Sequence, residues 1–188
     1  MNEVGPVLIA FGANLDPLPH ILAGLRLLHA VWPLEEISTV YRSRAVGDGM
    51  PQPDFLNGAV RLQPTAALAR LDPLVLRTSL RGIEQACGRQ RGPGVRRDAP
   101  RTLDLDIALM GAQVIRQPPL RIPDPDMLTR PFLAQPLAEL APEWIHPVER
   151  IPLRQLAVRT CALPDQPIMV ADEAATTTVR SLLRLLCS

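Results

Sequence analysis

A chain of 188 residues with 47% hydrophobic content is long enough for one domain with a sizeable core, which sets disorder throughout aside. The net charge of +1 supplies no global field for nucleic acid or an anionic membrane, and all 20 basic residues are arginine. Without lysine there is neither a Walker A phosphate loop nor a Schiff-base nucleophile, whereas arginine offers planar, bidentate contacts to phosphate.

In chain order, V-L-I-A-F (7–11) followed by the turn-forming G-A-N-L-D-P predicts a strand. Apolar positions at Leu18, Ile21, Leu22, Leu25 and Leu28 predict a helix that stops near Trp32, because Pro33 disfavours helical geometry in the residue before it. E-E-I-S-T-V-Y-R-S-R (35–44) alternates as a second strand and F-L-N-G-A-V-R-L (55–62) as a third, with a Gly/Pro-rich loop at 45–53. Asp72-Pro73, an N-cap residue with proline at the first helical position, opens a second helix that runs to Gly88. A fourth strand is expected over 102–109. The order βαββαβ predicts an α+β, ferredoxin-like sandwich: an antiparallel sheet with two helices on one face. The prolines of 117–136 predict short irregular segments. Residues 150–188 form a C-terminal extension expected to hold a small strand around Ile168–Val170 and a closing helix, T-V-R-S-L-L-R-L-L.

Cys87, Cys161 and Cys187 are odd in number and far apart, which argues against a disulfide framework or a structural zinc site and makes a reducing cytoplasm the expected compartment. His20, His29 and His146 are equally scattered and read as surface or packing residues. The N-terminal apolar run is only strand length, and no stretch approaches the ~20 residues of a membrane span, so neither a signal peptide nor a membrane partner is expected.

The chemistry concentrates in P-R-T-L-D-L-D-I-A-L (100–109). In a strand, Leu103, Leu105, Ile107 and Leu109 form one apolar face, while Thr102, Asp104, Asp106 and Ala108 share the other, the two aspartates roughly 6.5–7 Å apart. At that separation two unit charges repel by about 2 kcal/mol at an effective dielectric near 20, so a sheltered pair needs a cation or a shared proton. Magnesium is one candidate; the competing reading is a half-exposed strand with a solvated acidic face. Just upstream, G-R-Q-R-G-P-G-V-R-R-D-A-P-R places Arg89, Arg91, Arg96, Arg97 and Arg101 in a segment too rich in Gly and Pro for a regular helix. Alone it reads as solvated surface. Beside a carboxylate pair it reads as the guanidinium cluster that phosphoryl transfer from a magnesium nucleotide requires. A base-reading nucleic-acid module would need exposed aromatics on its sheet, and aromatics total 3%, so no nucleic-acid partner is expected.

These segments resemble the 6-hydroxymethyl-7,8-dihydropterin pyrophosphokinase family of folate biosynthesis. G-A-N-L (12–15), Y-R-S-R-A-V-G (41–47), Q-P-D-F-L-N (52–57), G-R-Q-R (88–91), P-R-T-L-D-L-D-I (100–107) and R-P-F-L-A-Q-P-L-A-E-L-A-P (130–142) are similar to its motifs in unbroken order. The resemblance implies a pyrophosphokinase domain over 1–149 and a small-molecule enzyme acting on ATP and hydroxymethyl-dihydropterin, with other folate enzymes as functional neighbours. It implies two Mg²⁺ ions held by Asp104 and Asp106. Arg89, Arg91 and Arg101 would act on the phosphates, and Ile107, Arg121 and Arg130 would also contact ATP. Phe55 and Phe132 would sandwich the pterin ring, Asn57 would bond its polar edge, and Ser43 and Val46 would lie nearby. Ordinary core packing is the other reading of the two phenylalanines. Glu84 either orients site residues or makes a helix-surface salt bridge. The chain departs from the family pattern at Asp124, which follows Pro123 where a histidine is usual, at Asp98 where an aromatic is common, and at Pro119 where a basic residue is expected, with Arg121 beside it. These departures all concern the ATP side. The alternative they leave open is a noncatalytic pterin-binding relative with an impaired ATP site.

Overall fold

The computed structural model describes residues 5–45, 51–96, 99–164 and 169–187. A mixed fold of helices and antiparallel sheet follows from the order β1 (Val7–Ala13), α1 (Pro17–Val31), β2 (Leu34–Ile37), β3 (Tyr41–Ser43), β4 (Phe55–Leu62), α2 (Ala66–Ala69), α3 (Pro73–Ala86), β5 (Asp104–Met110), α4 (Pro131–Leu140), α5 (Leu153–Cys161), β6 (Met169–Ala171) and α6 (Glu173–Leu186). The sheet runs β5-β1-β4-β3-β6, with β2 also paired to β4, and every pairing is antiparallel. None of the helices among the described residues is long and apolar enough to cross a membrane.

The two central strands decide the layering. β1 and β4 are buried at nearly every position, so both of their faces need cover. On one face Ile9, Phe11, Leu56 and Val60 pack against Leu25 and Leu28 of α1, Leu76 and Leu80 of α3 and Val179 of α6. On the other, Leu8 and Ala59 pack against Leu133 and Leu137 of α4 and Leu156 of α5. The two helices of the βαββαβ order, α1 and α3, share one face as expected; the second helical layer was not expected, and only the first half of α4 falls in the stretch read as irregular, α5 lying in the C-terminal extension. Pro131 sits in the first turn of α4, where its missing N–H is harmless, and Pro136 is accommodated inside a helix whose burial outweighs its one lost hydrogen bond.

The strand expected over 35–44 is split. Ser38 Oγ accepts from Ala59 N at 2.9 Å, and Thr39 N donates to Glu139 Oε2 at 2.8 Å, so side chains replace the ladder between β2 and β3. In β5, register passes from Leu8↔Leu109 to Ile9↔Ile107, leaving Ala108 as a bulge. Leu109 therefore joins the α4 face with Ala108, not the face it shares with Leu105 in ideal alternation. Beyond α5, β6 extends the sheet along β3, and α6 begins earlier than the leucine run suggests because Asp172 caps it, accepting from Ala175 N at 3.0 Å. Val40 N donates to Thr176 Oγ1 at 2.9 Å and Asp172 N to Val40 O at 2.8 Å, which ties the end of the described chain to the gap between β2 and β3.

Candidate active site

Strand register sets the site's floor. Gly12 of β1 lies between Asn57 of β4 and Asp104 of β5, and in the next row Ala10 lies between Ala59 and Asp106. Small residues in the middle keep the floor open. A Cβ on Gly12 would stand 3.0 Å from Asn57 Oδ1 and 3.8 Å from Phe55 Cδ1, at the limit of close contact. Asn57 and Asp104 are thus two strand spacings apart, about 9–10 Å. Above this floor opens a cavity of about 450 Å³, reached by Ser43, Phe55, Asn57 and Phe132 on one side and by Arg89, Arg91, Arg101, Asp104, Asp106 and Arg130 on the other. Seven arginines and four aspartates line it, an excess of three positive charges.

Asp104 is gripped by guanidiniums: Arg101 Nη1 donates to its Oδ2, Arg91 Nη2 reaches its Oδ1 at 3.4 Å, and Arg89 stands at 3.9 Å. Burial opposes the charge, but Arg101 and Arg89 outweigh it and hold the carboxyl below its usual range. Asp106 is the reverse. Burial and then the neighbouring Asp104 charge push its carboxyl up, although Arg77 Nη1 donates to its Oδ1 at 2.7 Å and 44% of its side chain stays accessible from the cavity. Among the described residues no group of three or more His, Cys, Asp or Glu could hold a metal ion. A two-carboxylate set fits a hard cation such as Mg²⁺, which keeps water and completes its shell with phosphate oxygens. Arg89 adds to that fit: its Nε and Nη1 are buried without a partner among the described residues, as donors aimed at an anion would be.

The motif residues hold one another in place. Asn14 is 2% exposed; its Oδ1 accepts from Arg101 N at 2.7 Å, its own N–H donates to Arg101 O at 3.0 Å, and its Nδ2 donates to Pro53 O at 3.2 Å. One asparagine thereby joins the loop before β5 to the loop before β4, and the Arg101 guanidinium comes to lie 5.6 Å over the Phe55 ring. Glu84 of α3 is an interior group, not a surface ion pair. It is 0% exposed, its Oε1 accepts from Leu105 N at 2.9 Å and its Oε2 from Arg91 Nη2 at 2.6 Å. Burial still raises its carboxyl, against those two donors. On the other side, Asn57 Nδ2 donates to Ser43 Oγ at 2.9 Å, both side chains being buried, which leaves the Asn57 carbonyl oxygen free to face a ligand.

Ile107 and Arg121 do not reach this cavity. They line an adjoining one of about 460 Å³, with Pro118, Pro119 and Leu120, which shares Arg77, Asp106, Asp124 and Asp126 with the first. Val46 and Asp98 lie outside the described residues. Sequence reasoning missed Arg77 and Arg81. The signal was available, since Arg77, Arg81 and Glu84 fall at i, i+4 and i+7 on one stripe of α3. Asp124 has a local role, accepting from Asp126 N at 2.9 Å to cap a 3₁₀ turn over Pro125–Leu128. Burial, with Asp106 and Asp126 adding to it, pushes its carboxyl up to about 6 from an ordinary 3.8, although the Asp126 N–H and Arg77 pull the other way. A carboxyl raised on folding destabilises the protein most above its folded value, and protonation relieves this as pH falls. Asp124→Asn keeps the capping oxygen, so it raises Tm by about 4 °C near neutral pH, and the gain shrinks as the pH falls from about 6 to about 4; a calorimetric pH series checks this, and a loss of Tm at neutral pH would contradict it.

Fold and cavity together define an α+β protein with one arginine-rich cavity over paired carboxylates, lined on its other side by Phe55, Asn57 and Phe132. The family model described as 7,8-dihydro-6-hydroxymethylpterin-pyrophosphokinase matches residues 8–142, and the chain belongs to that family. It is 42% identical over 146 residues to the 2-amino-4-hydroxy-6-hydroxymethyldihydropteridine pyrophosphokinase of Synechocystis sp., covering 78% of this chain and 66% of that one. The enzyme of the same name from Aquifex aeolicus is 34% identical over 150 residues, 79% of this chain and 88% of its own length. That from Pseudomonas aeruginosa is 39% identical over 140 residues, 73% and 81% of the two chains.

Proposed function

We propose that this chain transfers the pyrophosphoryl group of ATP to the hydroxymethyl oxygen of 6-hydroxymethyl-7,8-dihydropterin, a step of folate biosynthesis. The hydroxymethyl oxygen attacks the β-phosphorus, the bond from that phosphorus to the α,β-bridging oxygen breaks, AMP leaves with the electron pair, and the hydroxyl proton passes to water. The observation that carries this reading is a single cavity in which an arginine excess surrounds Asp104 and Asp106 at one end and Phe55, Asn57 and Phe132 line the other.

In this reading Asp104 and Asp106 hold two Mg²⁺ ions, whose chemistry is to neutralise charge on the phosphates. Arg89, Arg91, Arg101 and Arg130 bind phosphate oxygens. Arg101 has a second task, since its place over Phe55 puts it between the phosphate chain and the pterin face. Phe55 and Phe132 stack the ring, while Asn57, fixed by Ser43, bonds its polar edge, with Val46 nearby. Ile107 and Arg121 line the nucleoside end through the adjoining cavity. Residues 1–149 form the pyrophosphokinase domain, and β6 and α6 of the extension 150–188 pack on it. The three free cysteines accord with a cytoplasmic protein working beside other folate enzymes.

Incubating the purified protein with Mg²⁺, ATP and the dihydropterin, then resolving the nucleotides, tests this. AMP appearing only with pterin, together with pterin pyrophosphate, is the expected result. Pterin binding without either product would leave a binding protein and overturn the transfer.

A further inference from the structure

Two cations in the site, Arg77 and Arg81, answer to none of the sequence motifs, and Arg77 is the one that meets the aspartate pair. Arg77 leaves α3 on the stripe that faces β5, donates to Asp106 at 2.7 Å and keeps only 18% of its side chain exposed. It stands where the two cavities meet, lining both together with Asp106, Asp124 and Asp126. That shared wall carries three carboxylates, two of them outside the aspartate pair. A phosphate chain crossing from one cavity to the other would pass this wall, and Arg77 is the one arginine among the described residues that lines both cavities, Arg121 lining only the second.

Arg77 is not explained by the fold. α3 is anchored by Leu76, Leu80 and Ile83. Placing Arg77 and Arg81 one turn apart sets like charges against each other on a helix, which opposes helix formation. After burial, repulsion from Arg77 and then Arg91 lowers the pKa of Arg81. Crowded guanidiniums beside a cavity are stabilised when an anion enters it.

We propose that Arg77 is a nucleotide-binding residue of this chain, held on Asp106 in the free protein and turning to the phosphate chain of ATP when metal occupies Asp106. Its charge offsets the anion that Asp124 adds to the same wall. With Asp106 engaged by a divalent cation, the Arg77 guanidinium would lose its resting partner and would be available to donate to phosphate oxygens. The assignment rests on the pyrophosphokinase reading of the cavity.

The test is calorimetric binding of Mg²⁺ with α,β-methylene-ATP, and separately of 6-hydroxymethylpterin, to the full chain, to Arg77→Ala, to Asp124→Asn and to the double variant. Arg77→Ala weakens the nucleotide analogue by at least about tenfold while pterin affinity moves by less than about twofold. In the Asp124→Asn background the same substitution costs much less, because the anion it offset is gone. Retained pterin affinity certifies the fold of each variant, and Arg77→Gln serves if Arg77→Ala fails that control. Unchanged nucleotide affinity in Arg77→Ala, or a loss of equal size in both backgrounds, overturns the assignment. Should the wild-type chain bind the magnesium analogue yet form no pterin-dependent AMP, the transfer reading fails and the binding role of Arg77 stands; absence of any nucleotide binding by the wild type removes both.

Discussion

Asp104→Asn and Asp106→Asn each lower pterin-dependent AMP formation by about a thousandfold or more, because each removes half the charge available to hold metal against the phosphates. The two variants separate in stability. Asp104 is held below its usual pKa chiefly because Arg101 and Arg89 overcome the effect of burial, so its charge stabilises the fold above the unfolded value and that contribution is lost as pH falls below it. Its asparagine variant melts lower at neutral pH. Asp106 carries a charge that burial and Asp104 disfavour, so Asp106→Asn holds or raises Tm while losing activity. Turnover assays with melting curves on the same preparations check both halves. Near-normal turnover in both variants would sink the metal assignment.

Glu84→Ala lowers the free energy of unfolding by about 3 kcal/mol, since it strands the buried Leu105 N–H and leaves Arg91 without its interior carboxylate. Glu84→Gln keeps an acceptor for Leu105 N and loses about half as much. The larger consequence is functional. Glu84 is the only described side chain that bonds both the backbone between the two aspartates and a guanidinium of the arginine loop, so its loss loosens both sides of the phosphate site at once. Urea titration reads the stability, and the KM for ATP, expected to rise more than that for pterin, reads the site. A stability loss below about 1 kcal/mol would show the carboxylate to be dispensable.

Apart from the split of β2 from β3 and the short α2, the order of the elements through β5 was legible, as was the placing of Asp104 and Asp106 on one face, because both rest on local periodicity and turn chemistry. Leu109 was not, because the bulge at Ala108 follows from pairing with β1, a contact about a hundred residues away. The second helical layer hid behind proline: Pro131 and Pro136 read as breakers, yet V-L-I-A-F, apolar at consecutive positions, already demanded cover on both faces of β1. In the site, Phe55, Asn57, Arg101 and the aspartates stand out through motif likeness, and the structure brings them into one cavity. Arg77 and Arg81 stayed hidden because the polar stripe of an amphipathic helix reads as a solvated face until the strand beside it is known. Asn14 was visible only as a turn residue; its bonds to distant loops are tertiary.

The bonds from Val40 to Asp172 and Thr176 also impose an order on the making of the molecule. Val40 and Thr176 are 136 residues apart in the chain, and Ala175, Val179 and Leu182 complete the core under α1. A ribosome has therefore released every residue lining the arginine-rich cavity, Arg130 and Phe132 included, well before the residues that seal the gap between β2 and β3 emerge. Until they do, that gap shows unpaired backbone and bare leucine surface, the features that chaperones bind and neighbouring nascent chains aggregate through.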